Sequence, residues 1–255
     1  MIGPTKAFIA YRDLSQGHLD FVVIVCHAMP ALEADIALPR AKLTYAPDYF
    51  KAEKNPKDWI SARTADYQDE LARSTLITVF SYFEAFVRDI LLEMIKYHGG
   101  ADNFRALSSK RSEHFLQPIS SATTSNKRKL QDNPSAAKRE KYQKYARLLD
   151  KEGFRFPTDL LAKFGARLLL EKAREKGGMR AWEIPHILED GLLFPLDAKD
   201  RALFEDVRNL RNKIAHGRPH KMPLKDALRY ASELHTFAAK IERHMIEHFF
   251  VIQAV

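Results

Sequence analysis

Three side chains in the last quarter of the chain have the types and spacing for acid–base chemistry at a phosphate. They are Arg211, Asn212 and His216, an R-N-x-x-x-H pattern inside V-R-N-L-R-N-K-I-A-H-G, Val207 to Gly217. An imidazole titrates near neutrality and can take or give a proton. A guanidinium is permanently charged, and its rigid fork matches phosphate oxygens. An asparagine amide can orient either group by hydrogen bonding. A second pattern, H-x-x-E-H from His244 to His248, puts two imidazoles at i and i+4, where they can share a metal. Zinc-peptidase chemistry needs a third ligand, expected well downstream, and only seven residues follow His248. The expected metal set is therefore none. His27, His98 and His186 are scattered, and no serine or cysteine sits in a nucleophile motif.

The element that carries the triad is predicted from spacing. Leu203, Val207, Leu210 and Ile214 fall at i, i+4, i+7 and i+11, the apolar stripe of a helix over about 198–216. At about 100° per residue, Arg208, Asn212 and His216 fall on the opposite face and Arg211 at the stripe's margin. Gly217 supplies a left-handed C-terminal cap and Pro219 stops the helix, so His216 belongs to its last turn. The helix dipole favours a protonated imidazole there while Arg208, Arg211 and Arg218 oppose it, which leaves its pKa open. The same spacing also suits purely structural roles: Arg211 neutralising terminal carbonyls, Asn212 in solvent and His216 answering the dipole.

At 255 residues with 45% hydrophobic content the chain can bury a substantial core. Its single cysteine, Cys26, excludes an internal disulfide framework and a cysteine-rich zinc site and suits a reducing cytoplasm. No apolar run approaches the roughly 20 residues of a membrane helix, and no signal peptide is evident. The net charge of +8 suits a polyanionic partner. From Lys110 to Arg147 there are ten Lys or Arg against three Asp or Glu. Lys127, Arg128, Lys129, Lys138 and Arg139 are its candidate RNA-binding residues; the alternative is a solvated loop with no dedicated partner.

Read in order, residues 5–29 form a helix, with the β-branched content of Phe21 to Val25 leaving a strand open. Prolines 30, 39, 47 and 56 mark an irregular connection, and Asp58 caps the next helix. From 59 to 98 there is no proline or glycine, and Leu76, Phe80, Phe83, Val87, Ile90, Leu91 and Met94 repeat at helical spacing, with a break expected near residue 70. Residues 108–134 read as a mobile basic loop. Helices over about 135–151 and 159–176 come next, the second capped by Thr158, and then a surface-wrapping stretch over 179–197 with one short helix. A last helix covers about 224–250. The sum is an all-α bundle forming a single domain over 1–255.

The R-N-x-x-x-H pattern on a capped helix resembles the active-site motif of the HEPN superfamily (higher eukaryote and prokaryote nucleotide-binding). The stretch S-Y-F-E-A-F-V-R-D-I-L-L, Ser81 to Leu92, is similar to the long aromatic and acidic helix beside that motif in stand-alone bacterial members. The resemblance covers about 198–250 and 81–92 and leaves 101–195 as an insertion. It implies an HEPN-like bundle and a homodimer in which two motifs face each other across a two-fold axis to form one composite site. It implies RNA as substrate, no cofactor, and Arg211, Asn212 and His216 as catalytic residues with Arg208 in support. Glu84 corresponds to the acidic residue some members place near the site; its ordinary reading is an i,i+4 partner of Arg88. RNA carries its own nucleophile, so the expected activity is a metal-independent endoribonuclease leaving 2′,3′-cyclic phosphate and 5′-hydroxyl ends, with DNA resistant. A toxin or phage-defence effector, with an antitoxin or regulatory partner, is the implied setting. The alternative is a non-catalytic HEPN-like module that binds RNA or nucleotide or mediates assembly.

Overall fold

The computed structural model describes residues 3–39, 56–64, 66–111, 124–131, 136–161, 165–174, 179–217 and 221–253. Every regular element among them is helical. The helices are α1 (Lys6–Ala37), α2 (Pro56–Thr64), α3 (Tyr67–Tyr97), α4 (Ala101–Arg111), α5 (Thr124–Leu130), α6 (Ala136–Lys151), α7 (Pro157–Leu161), α8 (Gly165–Arg174), α9 (Ile184–His186), α10 (Ala198–Ala215) and α11 (Leu224–His248). A 3₁₀ turn, Ala181–Glu183, leads into α9 and one π turn, Ile187–Gly191, leaves it. The chain divides into two compact units, to both of which α1, α3, α10 and α11 contribute residues.

The first unit comprises Met1–Arg12, Phe83–Phe204 and His235–Val255. The expected repeat on α3 is its core: Phe83, Val87, Ile90 and Met94 are fully buried. Phe83 is a hub, its ring centre 6.5 Å from Tyr11, 6.2 Å from Phe204 and 5.3 Å from Phe237. The start of α1 is closed by side chains from distant sequence. Thr5 N–H donates to Glu242 Oε1 at 2.6 Å and the Thr5 hydroxyl pairs with Glu242 Oε2 at 2.7 Å. The Lys6 and Ala7 N–H groups donate to the Glu93 carboxylate at 3.2 and 3.0 Å, and Phe8 N–H to Thr5 Oγ1 at 3.1 Å. The N–H groups left over at this helix start are thus answered within the fold.

Several expectations in this unit are corrected. Of the described residues in the stretch 108–134, 108–111 belong to α4 and 124–130 to α5, and Gln131 is a bend. Fully buried Leu130 anchors α5, its carbonyl accepting from Tyr97 O–H at 3.0 Å and Ile252 N–H at 3.1 Å. The helix expected over 159–176 is described as α7 and α8, with 162–164 between them outside the described residues. Thr158 lies inside α7 and bonds Gln253, and the capping contact is Asp159 Oδ2 accepting Phe156 N–H at 2.7 Å. Residues 181–191 form three short helical turns, with Ile184, Ile187 and Leu188 buried and Trp182 and His186 exposed. α8 comes so close to this stretch that a Cβ on Gly165 would lie 2.4 Å from Gly191 O, so only glycine fits.

The second unit comprises Asp13–Tyr82 and Glu205–Leu234. Leu76, Val79 and Phe80 of α3, Val207 of α10 and Ala227 and Leu234 of α11 fill its core. α1 continues through Pro30 to Ala37, which corrects the expected end at 29. Proline lacks the N–H that a helix interior uses, so the helix passes this point one backbone bond short. α2 begins at Pro56, and Asp58 lies within it rather than before it. Proline is well suited to a first helical position because that N–H has no partner anyway. The expected break in the long helix falls between Thr64 and Tyr67. The expected irregular connection at Pro47 lies outside the described residues.

Candidate active site

α10 is set at its start by Asp197, whose Oδ1 accepts Asp200 N–H at 2.7 Å in an N-cap. Buried Asp200 is held by Lys240 Nζ at 2.7 and 2.9 Å. Asp200, Phe204 and Val207 are the buried residues of this helix, while Leu203 and Leu210 are only half-buried. At about 100° per residue, these three define an arc that continues through Arg211. Arg211 itself is half-buried, as are Leu203, Leu210 and Ile214 of the expected stripe.

The Arg211 guanidinium lies over Phe80, 5.8 Å from the ring centre, and its Nη1 donates to Asn212 Oδ1 at 3.1 Å. The ring face attracts the cation and the amide fixes the fork. Arg208 and Asn212 are half-buried and His216 is exposed. His216 N–H donates to Asn212 O at 3.0 Å and Gly217 N–H to Ile214 O at 2.9 Å. Gly217 has φ +68°, the left-handed cap that glycine adopts without strain.

A groove of about 450 Å³ runs beside this helix end, lined from α3 by Glu70, Arg73, Ser74, Ile77 and Thr78 and from the motif stretch by Ile214 and Gly217; Arg211, Asn212 and His216 are not among its lining residues. Arg73 is paired with Asp69 at 2.8 Å and with Glu70. Asp69 Oδ1 also accepts Met222 N–H at 2.6 Å, which ties the chain returning from the motif to α3. Sequence reasoning missed Phe80 as the support of Arg211 and Asp69 as the anchor of the returning chain. The i,i+4 spacing of Asp69 and Arg73 was the one signal in the sequence for the pair.

The remaining candidates lie elsewhere in the fold. Glu84 is half-buried on α3, and Arg88 pairs with Asp89 at 2.8 Å. Lys127, Arg128 and Lys129 form the last turn of α5. Lys138 and Arg139 fall in α6, their side chains outside the described residues. Of the H-x-x-E-H pair, His244 donates from Nε2 to Leu192 O at 2.8 Å, and its ring centre is 4.7 Å from that of His248. Burial is the main cause holding both imidazoles below their ordinary pKa. Among the described residues no group of three or more His, Cys, Asp or Glu is arranged to hold a metal, and no helix is long and apolar enough to cross a membrane.

The regular elements among the described residues are all helical, and Phe80 of the long aromatic helix lies under the arginine of the R-N-x-x-x-H pattern. A sequence model of the RiboL-PSP-HEPN family matches residues 48–247, and the chain belongs to that family. The match includes the whole 101–195 stretch. No curated protein and no solved structure matches the chain.

Proposed function

We propose that the protein is a metal-independent endoribonuclease with Arg211, Asn212 and His216 as its catalytic residues and Arg208 and Glu84 in support. The observation that carries this reading is the arrangement at the end of α10. His216 is exposed, and the preceding turn holds a guanidinium oriented by Phe80 and Asn212, while a groove adjoins the same helix end at Ile214 and Gly217. In the reaction the RNA 2′-oxygen attacks the adjacent phosphorus and the bond from phosphorus to the 5′-oxygen breaks. The 2′-hydroxyl proton goes to a base and the leaving 5′-oxygen receives a proton from an acid. Arg211 stabilises the charge on the phosphoryl oxygens in the transition state. Two copies of the chain related by a two-fold axis supply two His216 imidazoles, one as base and one as acid. The products are a 2′,3′-cyclic phosphate and a 5′-hydroxyl, and DNA, which has no 2′-hydroxyl, is not cut.

In this reading residues 1–255 act as one functional domain in the cytoplasm. The basic residues Lys127, Arg128, Lys129, Lys138 and Arg139 hold RNA through its phosphates. A toxin or phage-defence effector restrained by a partner protein is the setting that suits such an activity. Induced expression of the wild type then arrests growth and the His216→Ala form does not. Equal toxicity of the two contradicts a catalytic effect.

The placement of Arg211 favours a second reading. A half-buried guanidinium over Phe80 also suits a structural role, in an HEPN module that binds RNA or nucleotide, or mediates assembly, without cleaving. End-group analysis of RNA incubated with the protein in EDTA separates the two readings.

A further inference from the structure

α5 and α6 pack together and bring cations onto aromatic rings. Lys129 Nζ lies 4.5 Å and Lys144 Nζ 4.9 Å from the centre of the Tyr145 ring, and Tyr142 stands 6.2 Å from Tyr145, tilted by 48°. Lys127 Nζ lies 5.7 Å from the centre of Phe154. Both Lys129 and Lys144 are exposed, while the two tyrosines are half-buried. Among the described side chains of α5 and α6 the cations are Lys127, Arg128, Lys129, Lys144, Arg147 and Lys151, and the one acid is Asp150. Neither Lys129 nor Lys144 has a carboxylate partner among the described residues.

Two ammonium groups held against one ring repel each other, and the ring satisfies none of their N–H donors. An anion reaching both relieves the repulsion and accepts those hydrogen bonds. Aromatic faces next to such cations suit a partner with planar bases between its phosphates, and only unpaired bases can turn to stack on them. A duplex hides its base faces and offers phosphates alone.

We propose that α5 and α6 form a platform for single-stranded RNA, with Lys129 and Lys144 on its phosphates and Tyr142 and Tyr145 against its bases, distinct from the motif residues. The identity of the strand as RNA rests on the ribonuclease reading; the platform itself does not. It reads charge and base faces, so single-stranded DNA, which lacks the 2′-hydroxyl and is not a substrate, binds it as well.

The test is fluorescence anisotropy of the full-length protein with labelled oligodeoxythymidine, and of His216→Ala protein with labelled oligouridine, across a salt series. Removing two phosphate contacts makes the logarithmic salt dependence shallower by about 1.4 for a single strand, so Lys129→Gln with Lys144→Gln is expected to show that change on both probes. Tyr145→Phe keeps the affinity and Tyr145→Leu lowers it about ten-fold. An unchanged salt slope in the double variant overturns the proposal, as does a DNA duplex bound as tightly as the single strand. Wild-type protein that never cleaves RNA leaves these binding results intact, so this proposal and the ribonuclease reading fail separately.

Discussion

The guanidinium of Arg211 lies 5.8 Å from the centre of the Phe80 ring, so a residue of the long helix α3 sets the cation of the motif. A partly desolvated cation–π contact of this kind contributes about 1 kcal/mol.

Phe80→Leu removes the ring face and keeps most of the core volume. The expected result is a loss of about five-fold in kcat/KM on RNA, since about 1 kcal/mol is being withdrawn from the positioning of one group. In protein already carrying Arg211→Ala the same change has no further effect on activity. A double-mutant cycle measures this, and equal losses in both backgrounds show that Phe80 acts through packing alone.

The legible and the hidden parts of this fold differ in where each signal resides. Phe83, Val87, Ile90 and Met94 are all fully buried, so their helical repeat reads directly as a core. The inward side of α10 is only partly legible because two of its positions are polar. Asp200 is buried on Lys240 and Arg211 is held over Phe80, and counting apolar residues overlooks both. α5 was hidden for a similar reason, since T-S-N-K-R-K-L carries one apolar anchor, Leu130, whose burial depends on partners far away in the chain. The triad itself was legible as a pattern. Its supports were not, because Phe80 meets Arg211, and Asp69 the chain returning from the motif, only in three dimensions.

The bond from Met222 N–H to Asp69 Oδ1 gives a stability prediction. Met222 is buried and the bond is partly so, and removing the acceptor leaves a partly buried donor unmatched. Asp69→Ala is expected to cost about 2 kcal/mol in urea denaturation. Asp69→Asn, whose amide oxygen can still accept, should cost less than half as much. Identical losses for the two variants contradict the assignment.

Glu242 predicts one arm of the pH dependence. Burial is the main cause raising its carboxyl above the ordinary value of 4.5, the charge of Glu93 adds to it, and the hydrogen bonds from Thr5 oppose it. A folded pKa above the unfolded one means that the contribution is full below the unfolded value and is lost as pH rises through the folded value. Wild-type stability should therefore decline relative to Glu242→Gln on going from about pH 4 to about pH 7. Parallel denaturation profiles for the two proteins contradict it.

His244 predicts the opposite arm. Burial is the largest cause of its lowered pKa, with the neighbouring His248 adding to it; His248 is itself lowered by burial and then by Lys127. A histidine whose folded pKa lies below its unfolded value stabilises the fold above the unfolded value, 6.5, and loses that contribution as pH falls through the folded one. His244→Gln keeps a donor for Leu192 O and cannot titrate. Its melting temperature should fall less than that of the wild type between about pH 7 and about pH 5, and an equal fall removes His244 from the account.

The central claim is tested most directly by incubating purified wild type and His216→Ala with labelled mixed RNA in EDTA and analysing the ends. The account predicts cleavage by the wild type alone, leaving 2′,3′-cyclic phosphate and 5′-hydroxyl termini. Cleavage that appears only when magnesium is restored, or that persists in His216→Ala, contradicts it.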